Sequence, residues 1–182
     1  MLKKLIILGG NPETGALVKV AVSMGVYTVV VDPNPNAPAK KNASESHDID
    51  GFDVDAIVNL AREKNVNGVL VGVADILVKP YQEICAKLNL PCYANDYTIE
   101  AFCSKDGFKR YCIDFNIQDI PGIYLSNENE IEASISKTKF PVLIKRVDNG
   151  GGVGMKICRD QTGYAASVKN ALTFSKKGVV LV

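Results

Sequence analysis

Residues 4–32, KLIILGGNPETGALVKVAVSMGVYTVVVD, decide the fold. KLIILG (4–9) is a short apolar run that ends on glycine, and YTVVVD (27–32) is a second run, rich in β-branched valine, as strands are. Between them, Thr14 to Met24 reads as a buried helix with Leu17, Val20, Ala21 and Met24 on one face, closed by Gly25. Strand, glycine turn, helix and strand within about thirty residues is a βαβ unit, whose two strands run parallel.

Outward from this unit the alternation continues. PNPNAPAKKNASES (33–46) reads as a long loop, a ligand-facing or lid-like excursion. Val54, Ile57, Val58 and Ala61 mark a helix over 53–64, and GVLVGV (68–73) is a third strand, apolar throughout as a doubly covered parallel strand should be. Leu77, Tyr81, Ile84, Cys85 and Leu88 mark another helix, which Pro80 starts near Lys79, and PCYAN (91–95) is a short extended segment. The pattern predicts an α/β domain with an open parallel sheet over residues 1–95.

Residues 96–118 change character and read as a two-helix connector. Ser104 is the N-cap of its second helix, with Phe108, Tyr111, Cys112 and Phe115 on one face and Lys105 and Lys109 one turn apart on another. Gly107 inside that helix costs about 1 kcal/mol relative to alanine, so a local reason for it is expected. A second unit over 119–182 opens with IPGIYLS (120–126), followed by an Asn127/Glu130 capping box and a helix carrying Ile131, Ser134 and Ile135. FPVLIKRVDNGGGVGM (140–155) then reads as a strand with one buried-side lysine, Lys145, running into a glycine-rich loop. MKICRD (155–160), a helix over 162–176 and the strand GVVLV (178–182) complete a β-α-β-loop-β-α-β order, a small α+β layer.

Three places invite chemistry. Backbone N–H groups of the loop at Gly150, Gly151, Gly152 and Gly154 could cradle phosphate oxygens, with Lys145 as the point charge, although a hairpin loop beside an ordinary strand lysine has the same pattern. GGNPETG (9–15) precedes a helix N-terminus, a setting for an anion, and Asp32 stands near the position of a ribose-binding acid. The G-x-G-x-x-G fingerprint of dinucleotide sites is not met, since Pro12 occupies the place of the middle glycine. Asp75 follows the third strand, at the end of a parallel sheet where ligands bind, and equally suits a helix cap. Asp53 and Asp55 read as helix-start charges, and no metal-ligand spacing stands out.

Composition narrows the field. A net charge of +1 with 47% hydrophobic and 23% charged residues is ordinary for a globular chain and offers no field for nucleic acid or an anionic membrane. No stretch approaches the length of a membrane span, and the apolar run at the N-terminus is too short for a signal peptide. Five cysteines without a C-x-x-C pair, and a single His47, point to reduced thiols and a cytoplasmic protein.

Taken in order, the GG-containing turn, the connector beginning SKDGFKRY (104–111) and FPVLIKRVDNGGGVGM resemble the front part of an ATP-grasp ligase. The nearest subgroups are the carbamoyl-phosphate-synthase-like, biotin-carboxylase-like and phosphoribosylglycinamide-synthetase-like ligases. The resemblance implies a Rossmann-like pre-ATP-grasp domain at 1–95, the connector at 96–118, and the small lid subdomain at 119–182. It implies that Lys105 and Lys145 contact ATP phosphates beneath a flap formed by Gly150, Gly151, Gly152, Val153, Gly154 and Met155. In the family the connector lysine usually follows an acidic residue, where this chain has Ser104. Gly10, Asn11, Glu13 and Thr14 would line the acceptor-substrate site, with Asp32 and Asp75 beside it. The implied reaction uses Mg2+ and ATP to turn a small carboxylate into an acyl phosphate that an amine attacks, and family habit favours a homodimer. The family's acidic hinge and magnesium ligands are expected beyond Val182, which would leave this stretch inactive by itself. Two other readings remain open from the residues: a metabolite-binding module that works with a partner chain, and an NAD-linked oxidoreductase domain.

Overall fold

A computed structural model describes residues 2–148 and 154–182. The chain divides into two compact units, Met1–Ile99 and Glu100–Val182. The first contains strands β1 (Lys4–Leu8), β2 (Tyr27–Val31), β3 (Glu45–His47) and β4 (Gly68–Val71), with helices α1 (Pro12–Ser23), α2 (Val54–Lys64) and α3 (Val78–Leu88). Helix α4 (Asp96–Cys103) crosses the division.

The sheet of the first unit has the order β3-β2-β1-β4, and every pairing is parallel. Alternation along the strands sorts its side chains to two covered faces. Ile7 and Val30 pack with Val18 and Ala21 of α1, whereas Ile6, Leu8, Val29, Val31, Val69 and Val71 pack with Ile57 of α2 and Tyr81 and Ile84 of α3. Local chemistry sets the helix ends. Asn11 Oδ1 accepts from Thr14 N at 2.8 Å and Asp53 Oδ1 from Ala56 N at 3.0 Å, while α2 and α3 end on left-handed Asn65 and Asn89.

Several expectations are corrected here. Residues 33–46 are more than a loop: Pro38–Asn42 form a 3-10 turn against α1, and the chain then enters β3 at the sheet edge. Conversely, 91–95 adds no strand to the sheet. Pro91 has no N–H to donate, and Tyr93 N gives its hydrogen to the Tyr81 hydroxyl at 3.1 Å. Helix α1 starts at Pro12 rather than Thr14 and buries Thr14, Gly15, Val18 and Ala21, leaving Val20 and Met24 exposed. Helix α3 begins at Val78 after a 3-10 turn over Asp75–Leu77.

The second unit holds α5 (Lys105–Asp114), β5 (Tyr124–Leu125), α6 (Glu130–Ile135), β6 (Val142–Arg146), β7 (Lys156–Cys158), α7 (Tyr164–Phe174) and β8 (Val180–Leu181). Its sheet, β5-β8-β6-β7, is antiparallel throughout. Leu125, Ile144, Cys158 and Val180 turn one face toward Ile131 of α6 and Tyr164, Val168 and Ala171 of α7. Within that core the Ser134 hydroxyl and the Tyr164 hydroxyl hydrogen-bond at 2.8 Å, so both buried oxygens are satisfied.

Ser104 caps α5 as expected, accepting from Gly107 N at 3.2 Å. Gly107 has its local reason: a Cβ there would lie 1.9 Å from the carbonyl oxygen of Glu100. On the predicted apolar face of α5, Cys112 is buried but Phe108 and Phe115 are exposed. The capping box is half formed. Glu130 Oε2 reaches back to Ser126 N (2.6 Å) and Asn127 N (3.3 Å), but Asn127 Oδ1 accepts from Asn129 N.

Candidate functional site

Strand β6 sets the geometry of the second unit. Ile144 is fully buried in the core, so by alternation Leu143 and Lys145 project from the other side of the sheet. Lys145 therefore belongs to the uncovered face and not to the buried side. That face borders a cleft of about 950 Å3 whose polar lining includes Lys105, Lys109, Lys137, Lys139, Lys145 and Asp119. Leu143, Leu181 and Phe102 supply apolar wall.

The charges of this cleft are unevenly compensated. Lys109 pairs with Asp119 and also donates to Ile120 O at 2.6 Å, and the hydrogen bond from Lys109 holds the Asp119 carboxyl below its usual range. Lys109, one turn from Lys105 in sequence, thus fastens the segment after α5. Burial pushes the Lys105 ammonium down and the positive charge of Lys145 pushes it further, against the opposing pull of Asp148 and Asp106. Among the described residues Lys145 has no ion-pair partner. Two ammonium groups brought close enough to repel form a site that an anion would relieve.

Around the cleft, other groups are held by the fold. Burial, and then the neighbouring charge of Asp106, raise the Tyr124 hydroxyl. Asp148, just past β6, is pulled upward by burial, but hydrogen bonds led by that from Lys177 N (2.9 Å) outweigh this and leave it below its ordinary value. Of the expected flap, Gly150, Gly151, Gly152 and Val153 lie outside the described residues. Gly154 has φ of 73°, and a Cβ on it would meet the Arg146 guanidinium at 2.7 Å; Met155 is exposed.

In the first unit, the carboxyl ends of β1, β2 and β4 lie side by side, with Leu8 opposite both Val31 and Val71. Gly10 follows β1 where a Cβ would stand 2.3 Å from Ala37 Cβ and 2.8 Å from the Asp32 carboxylate, so the turn and Asp32 are drawn together. Thr14 is fully buried against Gly72, and its hydroxyl has no hydrogen-bond partner among the described residues. Asn11 caps α1, Glu13 is exposed in its first turn, and Asp75 is exposed in the 3-10 turn before α3. The fold thus collects Gly10, Asn11, Thr14 and Asp32 at one end of the sheet. Lys40, which no sequence pattern singles out, donates to Asp32 O at 2.7 Å and pairs with Asp48. Lys137 and Lys139 join the cleft as well, and SKTKF directly before a strand is their signal in the sequence.

No helix of the described chain is long and apolar enough to cross a membrane. Residues 104–182 match the family described as "Carbamoyl-phosphate synthase L chain, ATP binding domain". Over 179 residues the chain is 25% identical to a formate-dependent phosphoribosylglycinamide formyltransferase of Prochlorococcus marinus, covering 98% of this chain and 46% of that protein. Over 169 residues it is 24% identical to the same-named protein of Rhodococcus jostii, covering 92% and 42%. Among solved structures, N5-carboxyaminoimidazole synthetase from Staphylococcus aureus complexed with ADP superposes with a TM-score of 0.82 at 18% identity, covering 98% of this chain and 46% of that one. The biotin carboxylase domain dimer of Hydrogenobacter thermophilus 2-oxoglutarate carboxylase, in complex with MgADP and bicarbonate, gives 0.74 at 20% identity, covering 100% and 44%. The chain spans a little under half the length of these relatives. The ATP-binding family is thus matched over the second unit, and similarity to these relatives runs along the whole length of the chain.

Proposed function

We propose that this chain is part of an ATP-dependent ligase joining a small carboxylate to an amine, with the second unit acting as the lid subdomain over the ATP phosphates. The observation that carries the reading is the juxtaposition of Lys105 and Lys145 in one cleft, inside the stretch matched by an ATP-binding family. Bringing two cations together is costly without an anion, and a polyphosphate is the anion that such a pair fits.

In this scheme Lys105 and Lys145 neutralise the phosphoryl group as it moves from ATP to a carboxylate oxygen. The products of that step are ADP and an acyl phosphate, and attack by the amine then releases phosphate. Formate, named for the curated relatives, is a carboxylate of the required class. Gly10, Asn11, Glu13, Thr14, Asp32 and Asp75 serve the acceptor substrate. A homodimer, the assembly named for the biotin carboxylase domain, is the proposed state. Mg2+ accompanies ATP in this chemistry, yet among the described residues no group of three or more His, Cys, Asp or Glu could hold a metal ion, so no step here is assigned to it.

The test is calorimetric titration of ATP into the chain and into Lys145→Ala and Lys105→Ala. Binding weakened at least tenfold by either change, about 1.4 kcal/mol, supports the reading. Equal binding by all three proteins would remove the lysines from the site. Tight NADH binding indifferent to Lys145 would favour the oxidoreductase reading instead.

A further inference from the structure

Helix α3 carries Tyr81 and Cys85 one turn apart, both buried in the core of the first unit. The chain leaves the helix at left-handed Asn89, where Leu90 N donates to Cys85 O at 2.9 Å. It then folds back along the helix, since Tyr93 N donates to the Tyr81 hydroxyl at 3.1 Å and the two rings stack with centroids 4.7 Å apart. Cys92 lies between these anchors and is exposed, whereas Cys85 is fully buried. The Tyr93–Tyr81 contacts carry Cys92 back alongside the helix, where its charge acts on both the Cys85 thiol and the Tyr81 hydroxyl. One thiol open to solvent therefore stands beside one that solvent does not reach.

We propose that Cys85 and Cys92 form a reversible disulfide in response to a peroxide, making this corner of the first unit a redox modification site. Cys92, as the accessible thiol, attacks the peroxide oxygen; it becomes a sulfenic acid and one water leaves. The Cys85 sulfur then attacks the Cys92 sulfur, the S–O bond breaks, and the hydroxide departs with the Cys85 proton as a second water. Two thiols are oxidised by two electrons and one peroxide is reduced to two waters. The order follows from the environments. Burial, and then the charge of Cys92, push the Cys85 thiol up to about 12, so it keeps its proton while Cys92 reacts first. When Cys92 has become a neutral sulfenic acid, the second of those causes is gone. The bond would fasten the segment after α3 to the helix at the Tyr81–Tyr93 stack.

The chain, reduced and freed of reductant, is treated with hydrogen peroxide and digested under non-reducing conditions for mass spectrometry. The expected product is a cross-linked peptide pair joining Cys85 to Cys92, with two of the five thiols lost and both restored by dithiothreitol. Cys92→Ser, an exposed change, should abolish the cross-link and leave Cys85 reduced. Cys103→Ser, at another exposed cysteine, should leave the cross-link intact. The proposal is overturned if Cys92 accumulates as sulfinic acid beside a reduced Cys85, if Cys92 pairs with any other cysteine or a second chain, or if neither thiol is oxidised.

Discussion

The two units each contain a four-stranded sheet, but the sheets meet solvent differently. In the parallel sheet, Val29, Val30 and Val31 are all fully buried because helices cover both faces. In the antiparallel sheet, Ile144 is fully buried while its neighbours Leu143 and Lys145 look onto a cleft. A parallel sheet sealed on both faces can offer ligands only the ends of its strands, where Gly10, Asn11, Thr14 and Asp32 gather. A sheet covered on one side can offer a whole face, and there the lysines stand. Candidate sites thus follow from how each sheet is covered.

The sharpest way to break this contrast is to place a charge on each face. Val29→Asp and Val30→Asp should each unfold the first unit, at a cost above about 4 kcal/mol, because both faces are dry. Ile144→Asp should do the same to the second unit, whereas Leu143→Asp should cost less than about 1 kcal/mol. Urea unfolding followed by hydrogen exchange in each unit would decide it, and loss of the second unit on Leu143→Asp would end the comparison. Next in size is Gly107→Ala, which should destabilise the second unit by about 3 kcal/mol against the Glu100 carbonyl. A helix interior normally gains about 1 kcal/mol from that change, so the sign of the shift in urea midpoint is diagnostic.

The smallest expected effect concerns the edge of the parallel sheet. Glu45 in β3 accepts from Tyr27 (3.1 Å) and meets Lys64 and His47, each at 2.7 Å. The hydrogen bond from Lys64, followed by that from His47, lowers its carboxyl to about 2 from the ordinary 4.5. A depressed carboxyl stabilises the fold above its unfolded value, and this contribution is lost as pH falls from about 4.5 toward 2. Glu45→Gln should cost about 1–2 kcal/mol at neutral pH and flatten the acid limb of thermal melts between those values. An unchanged acid limb would show that the edge is held by backbone pairing alone.

The βαβ start was legible because two continuous apolar runs flank a helix bracketed by Gly9-Gly10 and Gly25, and the α+β order of the second unit because its glycines and alternation are equally plain. Strand β3 was not legible. It is three residues, Glu45-Ser46-His47, with no apolar pattern, and its place depends on partners at Tyr27 and Lys64 that are distant in sequence. The face of α1 was misjudged for a related reason: Gly15 packs against Ala39 of the 3-10 turn, and that contact rotates Val18 inward. Of the candidate site, Lys145 stands out in the strand-and-glycine pattern and Lys105 only through the family resemblance, and both line one cleft. Lys109 could not be distinguished from Lys105 by helical spacing; only Asp119, brought back by the turn after α5, separates their environments.

The repulsion between Lys105 and Lys145 also bears on the solvent in which the protein is handled. Salt usually weakens a fold by screening its attractive pairs, over a Debye length of about 8 Å at physiological strength. Here that interaction is unfavourable beside the attraction of Asp148 and Asp106, so an anion seated between the two lysines should steady the ligand-free second unit. Multivalent anions such as sulfate should do so at lower concentration than chloride, a difference readable from melting temperatures in the two salts.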